Sequence, residues 1–251
     1  MNELELFNLF MIAMIIAAIC VFIALFFITA GYGQHISEKW GLAINNRAGW
    51  FIMEVPTVIV YVVLFIIGDY KTPLTIIYLL FWLFHYGYRS FIFPFLIRGK
   101  EKMPILIILF GMTFNTANGY LQGRWINSFS PRYEISWILT PMFIIGMIIF
   151  FSGFTIHAHS DHIIRGLRKP GETEYKIPHG GLFEYVSCPS YLGEIFEWCG
   201  WAIMTWSIPG LVFAIWTFAN LAPRARSNHK WYLEKFSDYP EHRKALIPFI
   251  Y

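Results

Sequence analysis

The chain has 251 residues, of which 57% are hydrophobic and only 14% are charged, and its net charge is +3. An ordinary soluble domain carries about 25% charged residues, so this composition leaves too little polar surface to cover a soluble core. The basic residues form no sustained stripe and no nucleic-acid motif is present, which argues against a nucleic-acid partner. The three cysteines, Cys20, Cys188 and Cys199, lack the spacing of a metal site or a disulfide framework, so neither is predicted.

Seven apolar stretches follow one another along the chain. The first five are each long enough to cross a hydrocarbon layer of ~30 Å as a helix. The last two are separated by the turn signal at 207–210, which can join antiparallel helices and leaves the last one short or tilted. The predicted fold is therefore all-α, a polytopic membrane protein with seven transmembrane helices. The stretches cover residues 6–30, 50–68, 74–97, 103–121, 135–156, 188–206 and 208–221.

The positions of Lys and Arg predict the orientation, because basic residues in short connections stay on the cytoplasmic side. A cytoplasmic C-terminus and an outside N-terminus place 15 of the 19 basic residues inside. Only Lys71, Arg124 and Arg132 then fall outside, and Arg89 lies within a span. The first apolar run is too long for a signal-peptide core and has no cleavage site after it, so it is interpreted as a retained span. The membrane is either a bacterial inner membrane or the endoplasmic reticulum.

No repeat, low-complexity tract or linker divides the chain, so a single domain is predicted over 1–251. Isolated ionisable groups lie inside the N-terminal apolar stretches, whereas 157–181 and 224–251 are polar. We therefore expect a substrate pocket built mainly from 50–121 and a cofactor site built mainly from 157–251.

Three polar groups lie inside the N-terminal stretches. A carboxylate in a bilayer costs roughly 2.5–3.5 kcal/mol on insertion scales, so Glu54 requires a partner or a function. One interpretation is an ion pair of Glu54 with Arg89 or Arg47, with the amides joining helices. The other is a pocket for a mostly apolar ligand with one polar end, with Trp50 as an apolar wall. The remaining groups are His85, Tyr86, Tyr88 and Arg89 on the third stretch and Asn115, Asn118 and Gln122 on the fourth.

The polar segments near the C-terminus match the needs of a dinucleotide. Spacings of three and four predict three stripes, each on one helix face. Gly180 and Gly181 let the backbone approach a ligand closely. Neither a G-x-G-x-x-G string after a strand nor a Walker A string occurs, so a nucleotide would bind by a non-Rossmann route. The stripes are His157, Asp161, Arg165 and Arg168; Tyr191, Glu194 and Glu197; and Arg224, Asn228 and Tyr232.

Five strings in these segments resemble the steroid 5α-reductases, the 3-oxo-5α-steroid 4-dehydrogenase family. The similarity runs from about residue 50 to the C-terminus, and the last two strings are the most specific. The resemblance implies a seven-helix membrane fold, NADPH entering from the cytoplasmic side, and a steroid bound among the N-terminal helices. The strings are NGYLQG at 118–123, HSDHIIRGLRKPG at 159–171, IPHGGLF at 177–183, LGEIFEW at 192–198, and 238–249, which begins DYP and ends RKALIPF.

The resemblance also implies roles for individual residues. Glu54 matches the family's catalytic glutamate and Tyr86 its catalytic tyrosine, with Tyr88 as the alternative phenol. Met53 stands where the family commonly has Gln and bears on substrate choice. Positions at or near the family's cofactor contacts are Arg89, Arg98, Asn118, Asp161, Arg168, Tyr175, Glu194, Arg224, Asn228 and Tyr232. Four further residues are candidates for cofactor binding. His157, Arg165 and Glu197 lie on the predicted helix stripes, and Ser190 stands where the family has an Asn.

These residue types suit reduction of an enone. Hydride addition to the β-carbon builds negative charge on the 3-oxo oxygen, which Tyr86 and a protonated Glu54 could stabilise. The predicted function is NADPH-dependent reduction of the Δ4 bond of a 3-oxo-Δ4 steroid by a monomer in contact with membrane lipid. One alternative is a membrane isoprenylcysteine or phospholipid methyltransferase using S-adenosylmethionine, because Pro189-x-Tyr191 follows Cys188. A second is a non-catalytic sterol-binding membrane protein.

Overall fold

The computed structural model describes residues 1–31, 33–36, 38–97, 102–131, 133–168, 172 and 174–251. Helices dominate these residues, as the sequence predicts. A π-helical turn at Tyr88–Ile92 joins α3 to α4, a second one at Trp125–Phe129 follows α5, and 3-10 turns lie in the connections. The α-helices are α1 (Glu3–Phe27), α2 (Asn46–Ile67), α3 (Pro73–Gly87), α4 (Phe93–Leu96), α5 (Ile105–Arg124), α6 (Pro141–Gly166), α7 (Pro189–Thr205) and α8 (Ile208–Lys235).

The chain forms two compact units. Unit 1 consists of Met1–Met11 and Ala30–Thr140, and unit 2 consists of Ile12–Thr29 and Pro141–Tyr251. The predicted substrate region, 50–121, lies in unit 1, and the predicted cofactor region, 157–251, lies in unit 2. Helix α1 contributes its first part to unit 1 and the rest to unit 2.

Local signals begin the helices of unit 1. The side chain of Asn45 accepts hydrogen bonds from the backbone N–H groups of Arg47 and Ala48 and caps α2. Thr72 and Thr75 form a capping box at the start of α3, with Pro73 in the first turn. A short antiparallel ribbon pairs β1 (Ala43–Asn45) with β2 (Lys102–Pro104) and sets the starts of α2 and α5 side by side. The sequence did not predict this ribbon.

Helices α2 and α5 approach closely along a row of small residues on α5. A Cβ added at Gly119 would lie 3.0 Å from the carbonyl oxygen of Thr57, and one at Gly123 would lie 3.3 Å from the Cα of Tyr61. Gly111 provides space for the Met53 side chain. Since these glycines recur at intervals of four or eight residues, they form one face of α5 that lets the two backbones come together.

The start of α1 is held against the end of α5. Phe7 is fully buried among the rings of Tyr120, Trp125 and Phe129. The guanidinium of Arg124 donates to both carboxylate oxygens of Glu3 at 2.7 and 2.8 Å. The two helix ends therefore lie together in unit 1.

Unit 2 is organised by two pairs of glycines at the contact of α6 and α7. A Cβ at Gly193 would lie 2.6 Å from the carbonyl oxygen of Gly153, and one at Gly200 would lie 2.6 Å from that of Gly146. Within each helix the glycines are seven residues apart, so both pairs lie on one antiparallel contact line. This contact brings the backbone of α7 against α6 next to His157.

Helix α8 differs from the sequence prediction in where it begins and in its length. The break after α7 lies at Trp206, in the left-handed conformation with φ 46°, and at Ser207, whose hydroxyl accepts from Gly210 N. Pro209 and Gly210 therefore belong to the first turn of α8 instead of the connection. The last helix is also not short, because it continues through Pro223 to Lys235 with 28 residues.

The C-terminal segment packs back onto the entry to α7. The backbone N–H groups of Ser187 and Cys188 donate to the carbonyls of Lys244 and Ala245. A small apolar core joins this segment to α7 and α8. Its buried members are Cys188, Leu192, Ala222, Ala225, Ala245 and Leu246.

Four helical segments among the described residues are long and apolar enough to cross a membrane. On α1 the side chains of Ile12, Ile16 and Ile23 are each more than half exposed, which suits contact with lipid. The other three long helices do not meet both conditions. Helices α5 and α8 carry polar side chains, and α7 has only 17 residues. The count of seven spans stays a prediction. The four segments are Glu3–Phe27, Asn46–Ile67, Pro73–Leu96 and Pro141–Gly166.

Candidate active site

Glu54 lies on α2, buried inside unit 1 with 8% of its surface exposed. The amide nitrogen of Asn115, on α5, donates to Oε2 of Glu54 at 3.2 Å and to the carbonyl oxygen of Met53 at 2.8 Å. A carboxyl at this depth requires such a donor, because an unmade hydrogen bond there costs more than a formed one contributes. The α2–α5 contact thus holds the carboxyl in a defined orientation.

Tyr86 lies in the last turn of α3 and is 3% exposed. Its ring packs at 4.7 Å from that of Trp82 and at 4.8 Å from that of His85, between ring centroids. The amide nitrogen of Asn118 donates to the phenol oxygen at 3.3 Å. Asn115 and Asn118 are both on α5, so the predicted acid and phenol are each bonded by an amide of the same helix.

The chain departs from regular helical geometry directly after Tyr86. The π-helical turn from Tyr88 to Ile92 follows, and turns of this kind frequently mark functional sites. Tyr88 is partly exposed, and its ring lies 6.4 Å from that of Phe93. Tyr86 therefore lies on α3, and Arg89 lies on the π-helical turn. Asn118 thus contacts Tyr86, and the choice between Tyr86 and Tyr88 as the catalytic phenol stays a prediction.

Arg89 is held between two aromatic rings. Its guanidinium carbon lies 4.5 Å from the ring centroid of Trp50 and 4.3 Å from that of Phe93, and the side chain is buried. Contacts of this kind stabilise a cation by ~0.5–2 kcal/mol, depending on its exposure. Trp50 thus contacts the guanidinium, and its role as a wall of the substrate pocket stays a prediction. The Met53 side chain lies over Gly111, against α5.

In unit 2, three predicted cofactor residues meet where α6 and α7 are in contact. Nε2 of His157 lies 3.3 Å from Asp161 Oδ2, and its Nδ1 lies 3.7 Å from Glu194 Oε2. Glu197, one turn beyond Glu194, is fully buried. The contact of α6 with α7 therefore concentrates carboxylates around one imidazole.

A second group forms between α7 and α8. Both Arg224, at 3.0 Å, and Asn228, at 3.3 Å, donate to the phenol oxygen of Tyr191, and Asn228 also contacts the sulfur of Cys188. Burial lowers the pKa of the Arg224 guanidinium to about 9, so it keeps its positive charge at neutral pH. Arg224 and Asn228, four residues apart on α8, therefore lie on the same face of that helix and reach the same atom.

Arg168 and Tyr175 form a third group. The guanidinium of Arg168 lies 4.2 Å from the ring centroid of Tyr175, and that ring packs edge-on against Trp231, which in turn contacts Tyr232. Arg168 follows the end of α6 at Gly166, so the expectation that it continues the stripe of His157, Asp161 and Arg165 is wrong. The chain turns there and places the guanidinium on an aromatic ring.

The segment before α7 contains two glycines in backbone conformations that other residues rarely adopt. Gly180 has φ 91° and Gly181 has φ 54°. The N–H of Gly180 donates to Glu184, which lowers the pKa of that carboxyl below its usual range. Arg243 donates to the carbonyl of Pro178 at 2.9 Å and fastens the same segment to the C-terminus.

Of the remaining predicted cofactor residues, Arg165 lies in the last turn of α6 and Ser190 in the first turn of α7, both partly buried. Arg98 lies outside the described residues. The structure also adds partners that sequence reasoning did not assign: Phe93 beside Arg89, Trp231 beside Tyr175, and Cys188 beside Asn228. The two aromatic contacts could not be predicted from spacing, because aromatic residues are frequent throughout this sequence.

Similarity to known proteins decides the family. The family model described as 3-oxo-5-alpha-steroid 4-dehydrogenase matches residues 101–251. The chain belongs to this family. It is 44% identical over 223 residues to 3-oxo-5-alpha-steroid 4-dehydrogenase 1 of Macaca fascicularis and of Homo sapiens, covering 88% of this chain and 84% and 86% of those proteins. A steroid 5-alpha-reductase of Gossypium hirsutum is 42% identical over 256 residues, covering 100% of this chain and 99% of that protein.

Membership confirms the predicted resemblance and places the chain among oxidoreductases of steroid metabolism. The long apolar helices agree with a membrane protein of this family.

Proposed function

We propose that this 3-oxo-5-alpha-steroid 4-dehydrogenase family member reduces the Δ4 double bond of a 3-oxo-Δ4 steroid with NADPH. The observation that carries the proposal is the pair of amide-bonded groups in unit 1, Glu54 with Asn115 and Tyr86 with Asn118. Both are buried in a unit with apolar helices, which suits a flat apolar ligand with one polar end. We infer that the protein acts as a monomer in contact with lipid.

The chemistry follows from where charge develops. Electron density moves to the 3-oxo oxygen as the β-carbon, C5, is reduced, so a hydrogen-bond donor at that oxygen stabilises the enolate. The proposed donor to that oxygen is the Tyr86 phenol, which forms a hydrogen bond and keeps its proton; its own oxygen accepts from Asn118. In its protonated form, Glu54 supplies a second hydrogen-bond donor to the same oxygen. Water then protonates the α-carbon.

The residues of unit 2 fit a dinucleotide phosphate. When bound, NADPH supplies the hydride that is added to C5. The charged guanidinium of Arg224 suits a phosphate, and Asp161 and Glu194 suit ribose hydroxyls, because carboxylates accept two such bonds. The positive φ angles of Gly180 and Gly181 set the path of the backbone just before α7. Arg168, whose guanidinium lies on the Tyr175 ring, is the residue we propose to bind the 2′-phosphate.

Removing one of these groups should weaken cofactor binding. Asp161→Ala and Arg224→Ala each lose a charge-assisted hydrogen bond, which is worth about 1.5–3 kcal/mol, or roughly one to two decades in affinity. Isothermal titration of NADPH in detergent measures the loss. Arg226→Ala is the matched control, because Arg226 is on the same helix but exposed and packed over Phe26.

Unchanged NADPH affinity in both Asp161→Ala and Arg224→Ala would show that this group is not the nucleotide site. A parallel titration with NADH tests the narrower claim about the 2′-phosphate, which equal affinity for the two cofactors would remove. Mass spectrometry of the ligand that co-purifies in mild detergent separates the classes. NADP(H) supports the reductase, S-adenosylmethionine supports a methyltransferase, and a sterol without nucleotide supports a binding protein.

The proposed topology places the cofactor groups on the cytoplasmic side of a bacterial inner membrane or the endoplasmic reticulum. Two contacts within unit 1 agree with this topology. The β1–β2 ribbon joins the starts of α2 and α5, which the topology places on the cytoplasmic side. The Arg124–Glu3 pair joins the end of α5 to the start of α1, which the topology places on the outer side. Cysteines introduced at 168 and 235 should be shielded from a membrane-impermeant reagent applied outside intact cells, and one at 71 should react. Labelling of position 168 from outside would reverse the orientation.

A further inference from the structure

Two consecutive apolar side chains near the C-terminus are left in contact with the surroundings of the protein. Phe249 is 80% exposed and Ile250 is 78% exposed, and both lie in a turn instead of on a long helix. The ring of Tyr185, itself 46% exposed, lies 5.7 Å from that of Phe249, between ring centroids. A single exposed apolar residue requires no explanation, but exposed apolar residues grouped on one surface indicate contact with a membrane or with another protein.

The turn that carries these side chains has a defined conformation. The backbone N–H groups of Leu246 and Ile247 donate to the backbone oxygen of Tyr251 at 2.7 and 2.5 Å, and the N–H of Tyr251 donates back to Ile247 at 3.0 Å. Phe249 has φ 64°, a left-handed conformation that a residue with a side chain keeps only where the surrounding structure imposes it. The hydrogen bonds on either side of the turn therefore hold Phe249 and Ile250 outward.

Contacts within unit 2 place this turn near the end of α1. Tyr251 donates its hydroxyl to the carbonyl of Ala222 on α8 at 3.4 Å, and it packs against the same small apolar core as Phe22 of α1. One turn further along α8, the guanidinium of Arg226 lies 5.5 Å from the ring centroid of Phe26. Helix α1 ends one residue after Phe26 and is apolar enough to cross a membrane, so its end marks the edge of the hydrocarbon layer. The turn at 247–251 thus lies at about the level of that edge.

The residue types around the turn suit the surface of a bilayer. Tyrosine rings such as that of Tyr185 are enriched where a membrane meets water. The exposed Arg226 carries a positive charge at the same level, where it can reach lipid headgroups. The exposed apolar surface also continues onto α1, because Ile23 is 54% exposed and Phe27 is 84% exposed. This continuity with a membrane-spanning helix favours lipid over a protein partner.

We propose that Phe249 and Ile250 form an interfacial anchor that inserts between the headgroups and acyl chains of the membrane at the end of α1. Insertion removes both apolar side chains from water, which is the driving force. The backbone N–H groups of Ser187 and Cys188 donate to the segment that precedes the turn, so the anchor also ties the entry of α7 to the membrane surface. The inference requires a chain that spans a membrane, and it is independent of the orientation and of the reaction.

Quenching of a fluorophore at position 250 tests the anchor. Ile250→Cys is labelled with a small fluorophore in the full chain carrying Cys20→Ala and Cys199→Ala, since Cys188 is buried. The protein is placed in phosphatidylcholine nanodiscs, whose two faces are both open to solutes. We expect lipid that is spin-labelled near its headgroup to remove most of the emission, and aqueous iodide to remove little of it.

Two matched positions calibrate the quenching. Glu241→Cys places the fluorophore on an exposed residue of the same C-terminal segment, where iodide should quench and spin-labelled lipid should not. Ile16→Cys places it in the middle of α1 on a side chain that is 56% exposed. There, lipid that is spin-labelled at the end of the acyl chain should quench more strongly than lipid labelled near the headgroup.

Two results would overturn the inference. Iodide quenching at position 250 equal to that at 241 would place the turn in water. Protection from both iodide and spin-labelled lipid would show that protein covers the turn, such as a second copy of the chain. Phe249→Cys supplies the same measurement if Ile250→Cys does not yield folded protein. Because no readout includes turnover, the outcome is separate from that of the proposed reduction.

Discussion

Glu54→Gln and Tyr86→Phe are each expected to lower the single-turnover rate of 3-oxo-Δ4 steroid reduction by about 10²–10⁴-fold, the usual contribution of a positioned proton donor. Each substitution removes the acidic proton and keeps the shape of the side chain. NADPH affinity should not change, because neither residue is among the proposed cofactor contacts, which include Arg224 and Asp161. Rapid-quench product formation beside a cofactor titration measures the two effects separately.

Tyr88→Phe is the control for this pair. It removes a phenol two residues from Tyr86, on the π-helical turn, and should leave the rate within about twofold of wild type, since the hydrogen bond from Asn118 ends on Tyr86. Near-wild-type rates in Glu54→Gln and Tyr86→Phe would contradict the proposed roles. A loss confined to Tyr88→Phe would assign the phenol to Tyr88.

Gly193→Ala and Gly153→Ala should each destabilise unit 2 by about 1–3 kcal/mol, the usual cost of overpacking. An added Cβ at Gly193 would meet the backbone atoms Gly153 O and His157 N at 2.6 Å, and neither can rotate away as a side chain can. Helices α6 and α7 must then separate. Because the same contact sets His157 beside Glu194, NADPH affinity should fall as well. Thermal unfolding in detergent and a cofactor titration measure the two losses.

Gly166→Ala provides the matched control, because it makes the same change on α6 where an added Cβ meets nothing within 4 Å. It should be neutral or slightly stabilising, since Ala favours the helical conformation more than Gly. Equal unfolding temperatures for Gly166→Ala and Gly193→Ala would show that the glycine contact does not limit stability.

The helices could be predicted from sequence because each apolar stretch is long and its ends carry local signals. Asn45, Thr72 and Ser207 are caps that a short window of sequence contains. The π-helical turn after Tyr86 and the end of α6 before Arg168 could not be predicted, since neighbours distant in sequence select them. The β1–β2 ribbon joins residues about 60 apart and has no local signal.

In the candidate site, too, relations within one helix could be predicted from the sequence, whereas contacts between helices could not. Spacing alone predicted that Arg224 and Asn228 share a face of α8, and they meet at the Tyr191 oxygen. Spacing could not show that Asn115 bonds Glu54, or that Asn118 bonds Tyr86, because each pair joins two helices. Trp50 was expected to face a ligand, and the structure places its ring against the Arg89 guanidinium.

By itself, the sequence determined the helical membrane class, the family, and the residue types available for an enone and a dinucleotide, because these depend on composition, periodicity and matching strings. Only the tertiary structure decided which amide bonds which reactive group. That choice depends on how closely α2 approaches α5 and α6 approaches α7. Glycines with no reactive group of their own, such as Gly119 and Gly193, set those distances, since a single Cβ there would separate the helices.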